Sequence, residues 1–91
     1  MTAQAEISLY PLGQTDLSPA IEGFLTVLKE EGLRPRPGAM STTVVGDNAT
    51  VFSAIAKAFE QVATDYRCVL IVKYSNACPP AKGTENGGGQ D

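Results

Sequence analysis

Cys68 to Pro79 reads CVLIVKYSNACP: a strand apolar on both faces that ends in small polar groups beside a tyrosine. Side chains alternate across a strand, so Cys68, Leu70, Val72 and Tyr74 point one way. Val69, Ile71, Lys73 and Ser75 point the other. A surface strand of a small antiparallel sheet should carry one polar row, yet neither row here is polar before Lys73. Both sides therefore need a cover. The chain's own helices can supply one, and the expected second cover is another copy of the chain.

Working back from that strand, Glu6 to Pro11 alternates Ile7 and Leu9 against Ser8 and Tyr10 and reads as a first strand. Ser18-Pro19 is a helix start, with Ser18 as cap and Pro19 in the first turn. Ile21, Phe24, Leu25 and Leu28 then share one face, and Gly32 followed by Leu33 ends a helix over 18–31. Arg34-Pro35-Arg36-Pro37 can only be an edge strand or an extended segment, because neither proline donates to a ladder. Gly38-Ala39 predicts a tight turn into a third strand over Met40–Gly46. Asp47 or Asn48 caps a second helix over 49–64, with Val51, Phe52, Ile55, Phe59 and Val62 as its buried stripe.

The order is β-α-β-β-α-β. Right-handed crossovers and the central hairpin reduce this to an α+β, ferredoxin-like βαββαβ sandwich with an antiparallel sheet of order 4-1-3-2. The proline-bearing strand then falls on an edge. Both helices cover one sheet face and leave the other bare. One domain over residues 1–79 is expected, with a disordered tail over 80–91, where PPAKGTENGGGQD has little to bury. A chain of 91 residues buries roughly 60–65% of its unfolded surface, too little for a deep enclosed cavity. A ligand site should be a surface cleft or lie between subunits.

The net charge of −3, with seven scattered Lys and Arg, argues against a nucleic-acid partner. Met1 to Ala5 has neither the basic start nor the apolar run of a signal peptide, and no stretch approaches the ~20 apolar residues of a membrane span, so none is expected and the expected location is cytoplasmic, without a membrane partner. Cys68 and Cys78 are too far apart along an extended strand to pair, and both thiols are expected to be free. The chain has no histidine. That removes the usual general base, the Ser-His and Cys-His nucleophile pairs and imidazole metal ligands. No catalytic residue and no metal site is expected.

Three segments gather polar groups on neighbouring strands: Ser8 with Tyr10, Ser41-Thr42-Thr43, and Tyr74-Ser75-Asn76. Thr and Tyr are also good strand formers, and that alone accounts for their placement. Asp47 reads first as a helix cap, and Cys78 beside Pro79 reads first as a small buried hydrophobe without a neighbouring base to make its thiolate.

The segments SLYPLG, GLRPRPGAMSTTVVGD with VFSAIAKAFE following, and KYSNACP at the end of the last strand resemble the YkoF-like family of thiamine and hydroxymethylpyrimidine-binding proteins. The resemblance spans Ala5 to Pro79. It implies a ferredoxin-like fold that associates through its sheets; a single repeat then implies a homodimer or homotetramer. It also implies binding without catalysis, in thiamine salvage, transport or regulation, with no cofactor beyond the ligand itself. The ligand, thiamine or its hydroxymethylpyrimidine half, needs an aromatic face, edge contacts and negative charge. Tyr10 or Tyr74 offers the face. Ser8, Ser41, Thr42, Thr43, Ser75 and Asn76 offer the edge, and Asp47 or Glu6 the charge. The alternatives are an oligomeric regulatory module binding another small metabolite at a subunit interface, an enzyme with Cys78 as nucleophile, and a purely structural oligomerisation domain.

Overall fold

The computed structural model of the protein describes residues 1–77. Its elements in chain order are β1 (Thr2–Pro11), α1 (Ser18–Glu30), β2 (Arg36–Pro37), β3 (Thr42–Asp47), α2 (Asn48–Asp65) and β4 (Cys68–Ser75). The sheet runs β2-β3-β1-β4 with every pairing antiparallel. This is the expected ferredoxin-like α+β fold with the expected strand order. Cys78, Pro79 and the 80–91 tail lie outside the described residues, as does the domain boundary placed there.

The helices lie on one side of the sheet. Ala5 and Ile7 of β1 and Val44 of β3 are buried against Phe24, Val27 and Leu28 of α1 and Val51, Ile55 and Val62 of α2. Alanines at 5, 54 and 58 are fully buried, which lets the helices approach the strands closely. Gly46 extends this: a Cβ there would lie 3.0 Å from Leu33 Cδ2 and 3.3 Å from Val51 Cγ2. Helix α1 ends in the two hydrogen bonds that mark a left-handed glycine cap. Gly32, at φ 93°, donates to the Lys29 carbonyl, and Leu33 donates to that of Leu28.

Four local expectations change. Strand β1 starts earlier, at Thr2, because Gln4 and Ala5 still pair with both β3 and β4. Ser18 is already inside α1; Leu17 stands at the cap position with no side-chain bond, and Asp16 accepts from the Ser18 amide at 3.1 Å. The β2–β3 connection takes four residues, not two. Pro37 faces Thr42 across the last rung, and Gly38 donates to the Ser41 carbonyl at 2.7 Å, so Met40 and Ser41 belong to the turn. Phe52 leaves the core: it is 55% exposed, and Ala54 and Ala58 fill the buried stripe with Val51, Ile55 and Val62. The Phe52 ring packs on Tyr74 instead, centroids 4.3 Å apart.

The cap of α2 is as the sequence suggests. Asp47 accepts from the Ala49 amide at 3.2 Å and also lies 3.5 Å from the Met1 ammonium. The outward row of β4, including Val69 and Ile71, is about half exposed. It faces away from the helices on the open side of the sheet.

Candidate functional site

The strand register decides which polar residues meet. Strand β3 pairs with β1 only as far as Ile7 opposite Thr42, whereas β4 continues along β1 to Pro11. Ser8, Leu9 and Tyr10 therefore have a ladder neighbour on one side and, from β3, none on the other. The β2–β3 turn stands beside this open backbone edge. Between them and α1 lies a cleft of about 170 Å³.

The cleft has an apolar wall and a polar rim. Ile7 and Leu9 of β1 and Ile21, Phe24 and Leu25 of α1 line it, and residues 37–42 of the hairpin close it. Ile21 and Leu25 are only half-buried, because they form the cleft wall at the margin of the α1 stripe. Ser41 and Thr42 line the same space from the hairpin, and Ser8, whose side chain is on the open side of β1 with Tyr10, borders it. The Ser41 hydroxyl donates to Glu6 Oε2 at 2.8 Å, which ties the turn to the central strand and sets a carboxylate beside the rim. Met40, at the tip of the turn, is 89% exposed.

The remaining expected site residues lie elsewhere. Thr43, Tyr74 and Ser75 line a second cleft of about 380 Å³ together with Gln4, Glu6 and Lys73. Tyr10 is about half exposed on the open face, on the same side of β1 as Ser8. Asp47 is at the far end of β3, occupied as the α2 cap. Asn76 is exposed just beyond β4. Tyr10 and Tyr74 are on opposite sides of the sheet and so do not form one aromatic platform.

Tyr74 is engaged by the fold. Its hydroxyl donates to Asn48 Oδ1 at 2.7 Å and lies 3.3 Å from the Asn48 carbonyl. Burial, and then the nearby Asp47 carboxylate, hold its phenol above the usual tyrosine value. The aromatic ring in the hairpin cleft is that of Phe24, which the sequence marked only as core. Its periodicity could not separate a core residue from a cleft wall, since both lie on the same helical face.

Among the described residues no group of three His, Cys, Asp or Glu side chains is placed to hold a metal ion. No helix there is long and apolar enough to cross a membrane. Cys68 is a half-buried free thiol at the start of β4.

Solved structures with this fold include a hypothetical protein of Methanocaldococcus jannascii, 28% identical with TM-score 0.77, over 85% of this chain and 81% of that one. A domain of unknown function from Bacillus cereus superposes at TM-score 0.72 with 19% identity, over 82% of this chain and 75% of that one. A candidate thiamine biosynthesis/salvage protein of Thermotoga maritima superposes at 0.73 with 16% identity, over 81% and 82% of the two chains. No curated protein matches the chain significantly. Residues 5–76, which carry every element except the first residues of β1, match the family described as thiamine-binding protein, and the chain belongs to that family.

Proposed function

We propose that the protein binds thiamine, or its hydroxymethylpyrimidine half, in the hairpin cleft and releases it unchanged. The family match over residues 5–76 carries this reading. The hairpin cleft is the location that suits it best. A cavity of about 170 Å³ falls below the ~300–1,000 Å³ of ordinary ligand pockets and near the ~150 Å³ cavity that holds benzene. It suits one six-membered ring. The pyrimidine fits inside, against Phe24 and Leu25, and the rest of thiamine extends past Ser41 toward the turn.

The rim supplies what an aminopyrimidine edge requires. With its hydroxyl hydrogen donated in a hydrogen bond to Glu6, the Ser41 oxygen is left to accept from the ligand's amino group. The Thr42 hydroxyl and the open β1 edge offer further donors and acceptors. Glu6, rather than Asp47, is the carboxylate near enough to favour a thiazolium cation. With no histidine in the chain, a binding role in salvage, transport or regulation fits better than a catalytic one. The open sheet face is proposed to pack against a second copy in a homodimer or homotetramer. Tyr10, Val69 and Ile71 expose apolar surface there.

Thermal shift tests the reading. Thiamine, its phosphate esters and hydroxymethylpyrimidine are added separately to the full chain. A rise in melting temperature with the pyrimidine compounds, and none with a panel of unrelated metabolites, is expected. A shift produced only by another metabolite would favour the regulatory-module reading instead.

A further inference from the structure

Two of the chain's three arginines stand in one short segment, Arg34-Pro35-Arg36-Pro37. Each arginine precedes a proline, which restricts its own backbone to the extended region, and Pro35 fixes φ between them. Residues two apart in an extended chain share a side, so backbone stiffness holds the pair as a fork. The register sets which side. Arg36 is opposite Thr43, and Thr43 is opposite Glu6. Glu6 alternates with the buried Ala5 and Ile7 of β1, so Arg36 is on the open side of the sheet. Arg34 and Arg36 line one hollow of about 170 Å³ with Thr43 and Val45 of β3.

The fold leaves both charges unpaired among the described residues: no carboxylate there comes within ion-pair distance of either guanidinium. Glu6, the carboxylate in the same cross-strand row, is engaged by the Ser41 hydroxyl and by Lys73. In a chain of net charge −3 the fork is a local concentration of positive charge. It also stands apart from the apolar patch proposed to meet a second copy. The hollow is at the β2 edge, whereas Val69 and Ile71 are on β4, the opposite edge, and Tyr10 is at the far end of β1.

We propose that this hollow is an oxyanion site, for a phosphate group that is free or carried as a small monoester. Guanidinium groups make paired hydrogen bonds to phosphate oxygens. Two of them, with the Thr43 hydroxyl, match the three terminal oxygens of a phosphate. A carboxylate has two oxygens, which one guanidinium satisfies, and the second arginine would gain nothing. Both arginines are exposed, so affinity should be millimolar and sensitive to salt. The inference does not depend on what fills the hairpin cleft.

The test follows the Thr43 and Val45 amide resonances of the full chain by NMR as sodium phosphate is added at constant ionic strength. A pH of about 8 keeps the phosphate a dianion, and β-glycerophosphate, acetate and chloride are run in parallel. Saturable shifts at millimolar phosphate are expected. Arg34→Gln and Arg36→Gln should each weaken binding about 5-fold or more, and the double variant should abolish it. Arg36→Lys keeps the charge and loses the fork, so it should weaken binding too. All four variants change exposed side chains and should melt within a few degrees of the parent. An equal response to β-glycerophosphate assigns the site to phosphate-bearing metabolites, and a response to inorganic phosphate alone assigns it to the free ion. Shifts that chloride reproduces overturn the proposal, as does acetate binding as tightly as phosphate, or binding that the double variant retains. Should the double variant not fold, the single variants decide, and unchanged affinity in both overturns it.

Discussion

The Ser41 hydroxyl donates to Glu6 Oε2 over 2.8 Å, joining the tip of the β2–β3 turn to the middle of β1. Both side chains reach solvent, so the bond contributes little to folding, about 0.5–1 kcal/mol. Its larger consequence is for the cleft, because it fixes the direction in which the Ser41 oxygen can accept. Ser41→Ala should leave the melting temperature within a few degrees of the parent and weaken hydroxymethylpyrimidine roughly 5- to 150-fold. Equal affinity for the two proteins would separate Ser41 from the site.

Tyr74 gives a pH prediction. Burial and Asp47 raise its folded pKa above the ordinary value of about 10. The folded state then holds this proton more tightly than the unfolded chain does. Stability from this group is fully present below pH ~10 and is lost as pH rises through the higher folded value. Tyr74→Phe should cost about 0.5–1.5 kcal/mol at neutral pH through the lost bond to Asn48, and should lose less stability than the parent between pH 10 and 12. Chemical denaturation across that range measures it, and parallel alkaline slopes would contradict it.

Much of the fold could be read from chain chemistry. The prolines at 35 and 37 forced an edge strand, and β2 is at the edge. The mixed rows of β4 sorted as alternation requires, Leu70 and Val72 inward and Val69 and Ile71 outward. Phe52 was misplaced because helical spacing reports a face and not its depth: α2 lies close enough on Ala54 and Ala58 to leave the neighbouring ring outside. The site was legible as residue types but not as a grouping. Whether Thr42 or Thr43 faces the hairpin cleft depends on a register with a period of two, and the four-residue turn that puts Ser41 over the cleft is set by a single bond at Gly38.

Gly46 is held to its identity by space. An added Cβ would press on Leu33 and Val51, both buried. Gly46→Ala should destabilise by about 1–3 kcal/mol through overpacking, and Gly46→Val by more. Urea unfolding at neutral pH reads this directly, and an unchanged midpoint would mean that Leu33 moves aside freely.

Ile71 separates assembly from folding. It is 51% exposed on the open face, so Ile71→Glu should change the stability of the single chain by no more than ~0.5 kcal/mol. If the open faces pack together, the buried glutamates would carry no partner. Sedimentation at micromolar concentration should then show parent oligomers and monomeric Ile71→Glu. The same mass for both would place any assembly on another surface.

The central claim is that the hairpin cleft, and not the open face, holds the pyrimidine. Thr42 and Thr43 are adjacent in the chain and line different clefts, so they test it most directly. Hydroxymethylpyrimidine is titrated by calorimetry into the parent, Thr42→Val and Thr43→Val proteins. The account predicts saturable binding that Thr42→Val weakens about 5-fold or more and that Thr43→Val leaves within about 2-fold. Weakening by Thr43→Val alone, or no heat at millimolar ligand in the parent, would contradict it.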